Sequence, residues 1–146
     1  MLEKFKPNNP ITDSEISTIN QYFDQELELL KNILIKHQVT CLVGSSGVFD
    51  SFVEINHHNK FNAEYDQSIL SSDISMNDFN ELYTYLIKST KEERLVMPGL
   101  DSMRVDNIVV ATIFTKFVVE LSKVANIIQS AYSLKEGVAA TYKLIN

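Results

Sequence analysis

The stretch Gly44-Ser45-Ser46-Gly47 can bring backbone N–H groups close to a bound anion. It follows an apolar run, Val39-Thr40-Cys41-Leu42-Val43, and precedes a helix expected to begin near Gly47 or Val48. Strand, small-residue loop and helix is a layout that cradles phosphate. It is also the layout of a plain turn, because the loop lacks both the lysine of a P-loop and the spacing of a dinucleotide fingerprint. The second candidate is Arg104, which follows the turn Pro98-Gly99-Leu100. A guanidinium at the mouth of a buried helix is costly unless paired. Asp101 or Asp106 can hold it as a structural ion pair, or a phosphate can take it bidentately. Asp106 lies two residues on, about 200° round a helix, and reads as a complement to the helix N-terminus.

Other reactive side chains read more plainly. Glu92, Glu93, Asp101 and Asp106 can serve acid–base chemistry or complement helix N-termini. Adjacent His57 and His58 point apart on any regular element, and His37 is far away in sequence, so a solvated helix end is expected and no metal site. Cys41 lies mid-strand and reads as a buried, inert thiol. No G-x-S-x-G nucleophile motif is present. No catalytic residue is assigned.

The elements that must position these groups follow from pattern. Residues 1–11 are a polar lead-in with Pro7 and Pro10. Thr12 and Glu15 form a capping box for a helix to about His37, with Ile16, Ile19, Phe23, Leu27, Leu30 and Leu34 as its apolar stripe. Residues 57–74 read as irregular. Ser75 caps a helix to about Lys88 that buries Phe79, Leu82, Tyr83, Leu86 and Ile87. Thr90 and Glu93 cap a short helix ending before Pro98. A central helix is expected from Ser102 or Met103 to about Val124; it is apolar on every side, hence buried all round, with Arg104 and Asp106 in its first turn. Asn126–Ser130 reads as a second strand, and Ser133 and Glu136 cap the last helix, to about Leu144. The pattern α-β-α-loop-α-α-α-β-α predicts a helix-rich α/β fold with few, parallel strands. Two strands are too few for an independent parallel sheet, so the remaining strands must come from elsewhere.

Composition sets the outer bounds. The 146 residues make one domain, long enough to bury roughly 70% of the unfolded surface. A formal net charge of −6 argues against broad nucleic-acid or anionic-membrane binding, while leaving room for a local phosphate site. The single cysteine excludes an internal disulfide, and no leader or membrane span is evident, so a cytoplasmic protein is expected.

Taken together, Val43-Gly44-Ser45-Ser46-Gly47-Val48, Pro98-Gly99-Leu100 with Arg104 and Asp106, and Ser130 with Leu134-Lys135-Glu136-Gly137 resemble the exopolyphosphatase / guanosine pentaphosphate phosphohydrolase family in order and spacing. The resemblance covers most of residues 1–146. It implies a ribonuclease-H-like domain of the actin-like ATPase superfamily, similar to most of the family's second domain. Each family member has two such domains with the active site between them. Departures are clear: the family's Asp-x-Gly loop, its Asp-Ile-Gly-Gly-Gly loop and its catalytic glutamate are missing, and Val48 stands where the family has threonine. The chain thus looks like an incomplete second domain, with the N-terminal catalytic domain and the first strands of its own domain absent.

The resemblance implies removal of a terminal phosphate from inorganic polyphosphate or guanosine pentaphosphate. A carboxylate-activated water would attack phosphorus, with magnesium offsetting phosphate charge in the intact enzyme. It assigns Arg104 as a phosphate contact and Gly44, Ser45, Ser46 and Gly47 as the loop lining the cleft. The 146 residues alone are expected to be inactive. The alternative is a non-catalytic interaction module. Either way the missing domain is the expected partner, and an uncovered strand edge predicts a homo-oligomer.

Overall fold

The computed structural model describes residues 2–145; Met1 and Asn146, the two ends of the expected 1–146 domain, lie outside the described residues. A one-turn helix α1 (Leu2–Phe5) opens the expected lead-in and rests Phe5 on Tyr22, ring centroids 5.4 Å apart. Then come α2 (Asp13–Glu26), α3 (Glu28–His37), β1 (Cys41–Ser45), α4 (Val48–Phe61), β2 (Ser71–Ile74), α5 (Met76–Lys88), α6 (Lys91–Leu95), α7 (Ile108–Ser122), β3 (Asn126–Ser130) and α8 (Leu134–Ile145). The predicted caps are formed. Thr12 and Thr90 each close a capping box, and the Ser75 hydroxyl accepts from Asp78 N–H at 3.1 Å.

Four expectations change. The helix from Thr12 to His37 is two helices, because Leu27 leaves helical geometry (φ −106°, ψ 19°) while its N–H still donates to the Phe23 carbonyl. No glycine or proline marks that bend; it lets α2 and α3 both pack on α7. The first strand lies two residues later than the apolar run, at Cys41–Ser45. The helix after the glycine loop is long and takes in residues up to Phe61, and Ser71–Ile74 forms a third strand in the stretch read as irregular. Its Ser-Ser-Asp-Ile sequence has no apolar alternation; only Ile74 is buried, and the strand is held through the backbone.

The described sheet has the order β1-β3-β2, with β1 parallel and β2 antiparallel to β3, so the expected parallel pair becomes a small mixed sheet. The register places Ser45 beside Ser130, bringing the carboxyl ends of β1 and β3 to one edge. The core joins Ile19 and Phe23 of α2, Phe52 and Ile55 of α4, Phe79, Leu82 and Leu86 of α5, Ile108 and Ile113 of α7, and Ile127 of β3. Phe52 packs edge-on against Phe79 at 5.6 Å, and Phe23 against Phe114 at 5.1 Å.

The central helix also differs from expectation. It begins at Ile108, after a 3-10 turn over Ser102–Arg104, and ends at Ser122. Arg104 and Asp106 therefore precede it. It is not buried all round: Phe114 is 41% exposed beside Tyr22 and Leu27. Two features hold the turn ahead of it. Gly99 (φ +80°) sits where a Cβ would meet the α4 backbone at Glu54 and Ile55 within 2.7 Å, so only glycine allows that approach. Buried Arg94 donates to the carbonyls of Ser89 (2.5 Å) and Val105 (3.1 Å) and to Asn9 Oδ1 (3.2 Å), tying α5, the turn and the lead-in together. Burial pushes this guanidinium below its ordinary value, partly offset by Asp106, Glu92 and Glu93.

Candidate functional site

The glycine loop leaves β1 at the carboxyl edge of the parallel pair, where open α/β sheets bind ligands. Its shape is set by three residues. Gly44 is bare because the Phe49 ring lies over it; a Cβ there would meet ring atoms at 2.2 Å. Ser46 takes a left-handed φ of 58°. Gly47 takes φ 59°, ψ −120°, a region open only to glycine. Gly47 is also the N-cap of α4 and supplies no side-chain cap; the Phe49 N–H donates instead to the Ser46 carbonyl at 3.3 Å.

Arg104 comes to this loop. Its guanidinium donates to the Gly47 carbonyl and to Ser51 Oγ (3.2 Å), across 57 and 53 residues of chain, and its Nη2 lies 3.7 Å from Asp50 Oδ2. The two carboxylates expected as structural partners are used elsewhere. Asp101 accepts from Met103 N–H at 2.8 Å, and Asp106 pairs with Lys91 at 2.7 Å. The partners of Arg104 are instead the first turn of α4. Asp50 is shared: Gln129 of β3 donates its Nε2 to Asp50 Oδ1 at 3.0 Å. Asp50, Ser51 and Gln129 were not visible as site residues in the sequence. Asp50 reads there as an ordinary acid in a helix's first turn, and nothing in β3 singles out Gln129.

The open side of the loop faces α8. A groove runs between Ser45 and Ser46 on one wall and Ser133, Leu134, Lys135, Val138, Ala139 and Tyr142 on the other. Arg104 is not among its walls and meets the loop at the Gly47 carbonyl. The start of α8 is fixed by Glu136, whose carboxylate accepts from the Ser133 hydroxyl (2.5 Å) and backbone N–H (2.8 Å). These bonds pull its pKa down to about 2.

The remaining candidates are not drawn into the site. Glu93 closes its capping box, and His57 packs against Phe61 and Tyr65. Cys41 is half-buried rather than buried. Among the described residues no three His, Cys, Asp or Glu side chains converge on a point that could hold a metal. Asp50, the carboxylate nearest the loop, already faces Arg104 and Gln129. The described residues therefore gather no magnesium site of their own. No helix among the described residues is long and apolar enough to cross a membrane.

An arrangement of this kind can bind an anion at the carboxyl edge of a parallel strand pair. The engaged Gly47 carbonyl has its partial negative charge offset by the guanidinium, which lowers the cost of an anion at the loop.

The model of the Ppx/GppA phosphatase family matches residues 1–144. A solved exopolyphosphatase from Cytophaga hutchinsonii is 33% identical, with a TM-score of 0.91 over 97% of this chain and 45% of that one. A Ppx/GppA family member from Aquifex aeolicus is 20% identical, with a TM-score of 0.79 over 98% of this chain and 45% of that one, and shows likeness of fold. The chain thus spans a little under half the length of the solved structures it matches. No curated protein matches it. The fold is that of the actin-like ATPases, in its helix-rich α/β form with a small mixed sheet. With a family model matching nearly its whole length, the chain belongs to the Ppx/GppA phosphatase family.

Proposed function

We propose that this chain forms one wall of the active-site cleft of a phosphohydrolase that removes the terminal phosphate of inorganic polyphosphate or guanosine pentaphosphate. The observation that carries the reading is the meeting of Arg104 with Gly47, 57 residues apart. It joins two of the three motif segments behind the family resemblance at a single loop, and the third segment, from Ser130 to Gly137, borders the groove on that loop's other side. Gly44, Ser45, Ser46 and Gly47 form the cradle and Arg104 contacts phosphate. Asp50, at 3.7 Å, is beyond hydrogen-bond length from Nη2, so a bidentate phosphate is the better partner for that side of the guanidinium. Magnesium, where the reaction uses it, would offset phosphate charge and would need ligands beyond the described residues. No described residue is assigned as the general base, so in this reading the chemistry needs a second domain, in the same chain or another.

The test is phosphate release from polyphosphate and from guanosine pentaphosphate, with magnesium, by the purified 146 residues. The expected result is no turnover above background. Turnover well above background overturns the reading of this chain as one half of a site.

A second reading, an interaction module that pairs with another chain, is favoured by two surfaces. Among the described strands β1 has a neighbour on one side only, and α8 exposes Leu134, Val138 and Tyr142. Both surfaces suit a second domain or a second copy of this chain.

A further inference from the structure

Gln129 is buried at the carboxyl end of β3, and the two ends of its amide fare differently. Nε2 donates to Asp50 Oδ1 at 3.0 Å, whereas Oε1 is buried with no hydrogen-bond partner. A buried acceptor without a donor destabilises the fold, and an apolar side chain of the same length would avoid that cost. Packing alone therefore does not account for glutamine at this position. What the glutamine supplies is the donor to Asp50. The opposite orientation of the amide would set its oxygen against the carboxylate, so the assignment of Nε2 follows from the partner. Asp50 in turn faces the guanidinium of Arg104, and Arg104 holds the Gly47 carbonyl and the fully buried Ser51 hydroxyl. The chain of contacts starts in the sheet and ends at the peptide whose dihedrals only glycine tolerates.

We infer that Gln129 and Asp50 are positioning residues of the glycine loop: through Arg104 they hold the Gly47 peptide in its anion-cradling orientation. The inference rests on the reading of that loop as a phosphate cradle. Neither residue need touch the ligand. Asp50 limits how far the guanidinium swings, Gln129 limits how far Asp50 swings, and the loop inherits the rigidity of β3. The cost of the orphaned Oε1 is then the cost of preorganising the loop.

This predicts opposite signs for stability and loop order, which a merely structural side chain does not give. In Gln129→Met the orphaned acceptor is gone, while Asp50, a quarter exposed, turns to water. The melting temperature should hold or rise. In the same variant, 15N relaxation should show the order parameters of Ser46 and Gly47 falling from about 0.85 to below about 0.6, and the Arg104 Nε–H resonance should move toward that of a solvated guanidinium. Asp50→Asn keeps the shape of Asp50 and removes its charge. It should loosen the same two residues, so the inference stays testable even where Gln129→Met does not fold. Unchanged loop order in the folded variants overturns the inference, as does a melting temperature lowered by several degrees in Gln129→Met with the loop still rigid. The measurement is made without ligand. Failure of wild-type chain to bind tripolyphosphate would sink the cradle reading alone.

Discussion

Three of the four glycines, Gly137, Gly47 and Gly99, do different work, and substituting each of the three by alanine separates them. Gly137 lies inside α8 with open space around it, so Gly137→Ala should stabilise that helix by about 0.5–1 kcal/mol. Gly47 also has room, but its backbone does not admit a Cβ, and Gly47→Ala should cost about 1–3 kcal/mol. Gly99 has neither room nor tolerant dihedrals, because the rigid α4 backbone blocks it; Gly99→Ala should be the most damaging of the set. Thermal melts of the variants give the order Gly137, wild type, Gly47, Gly99 from most to least stable, and any other order contradicts the local geometry. Arg104 is the sharper probe of function. Arg104→Ala should weaken tripolyphosphate binding by tenfold or more, with Arg104→Lys rescuing poorly, since an ammonium cannot reach Gly47, Ser51 and a phosphate in one plane. If lysine restores binding fully, the fork geometry is irrelevant.

At the level of elements, two anchors lend themselves to direct tests. Arg94 joins α5, the turn before α7 and the lead-in, so Arg94→Met should lower stability by about 3 kcal/mol or more, leaving the Ser89 and Val105 carbonyls short of a donor. The start of α8 should respond to acid. Glu136 has a folded pKa of about 2 against an ordinary 4.5, so its contribution is present above pH 4.5 and is lost as pH falls toward 2. Asp78, held low by Lys60 and Ser75, and Glu15, held low by Thr12 and Asn8, act in the same direction. Circular dichroism over pH 2–5 should show helix loss on acidification, and Glu136→Gln should shift little over that range at α8. These caps were legible in sequence because each is a contact between residues three apart. The bend at Leu27 and the strand Ser71–Ile74 were not, because one carries no breaker and the other pairs only through its backbone. The late start of α7 escaped for a related reason: Met103 and Val105 could extend the apolar helix in sequence, but Ser102–Arg104 form a 3-10 turn and Arg94 holds the Val105 carbonyl. The loop and Arg104 were candidates by residue type and by the family resemblance, yet Asp50, which faces both Arg104 and Gln129, could not be read from sequence, since its partners depend on how α4 meets β3.

At the scale of the whole molecule, the uncovered edge of β1 and the apolar stripe of α8 predict association. Val43 is 61% exposed and Leu134 is 84% exposed. Light scattering should show mass rising with concentration, and a clean monomer at high concentration with no hydrophobic-dye binding argues that these surfaces are self-sufficient. The sheet carries one more consequence. β1 can find its parallel neighbour only after the whole intervening chain has folded back, and the contact from Asp50 to Gln129 spans 79 residues. Loops that long close slowly, while the helices between them form within microseconds. The glycine loop is therefore among the last parts to take shape. A molecule caught partway, during synthesis or after thermal damage, keeps most of its helical signal yet has no cradle. On the proposed reading, anion binding would report the completion of folding rather than its onset.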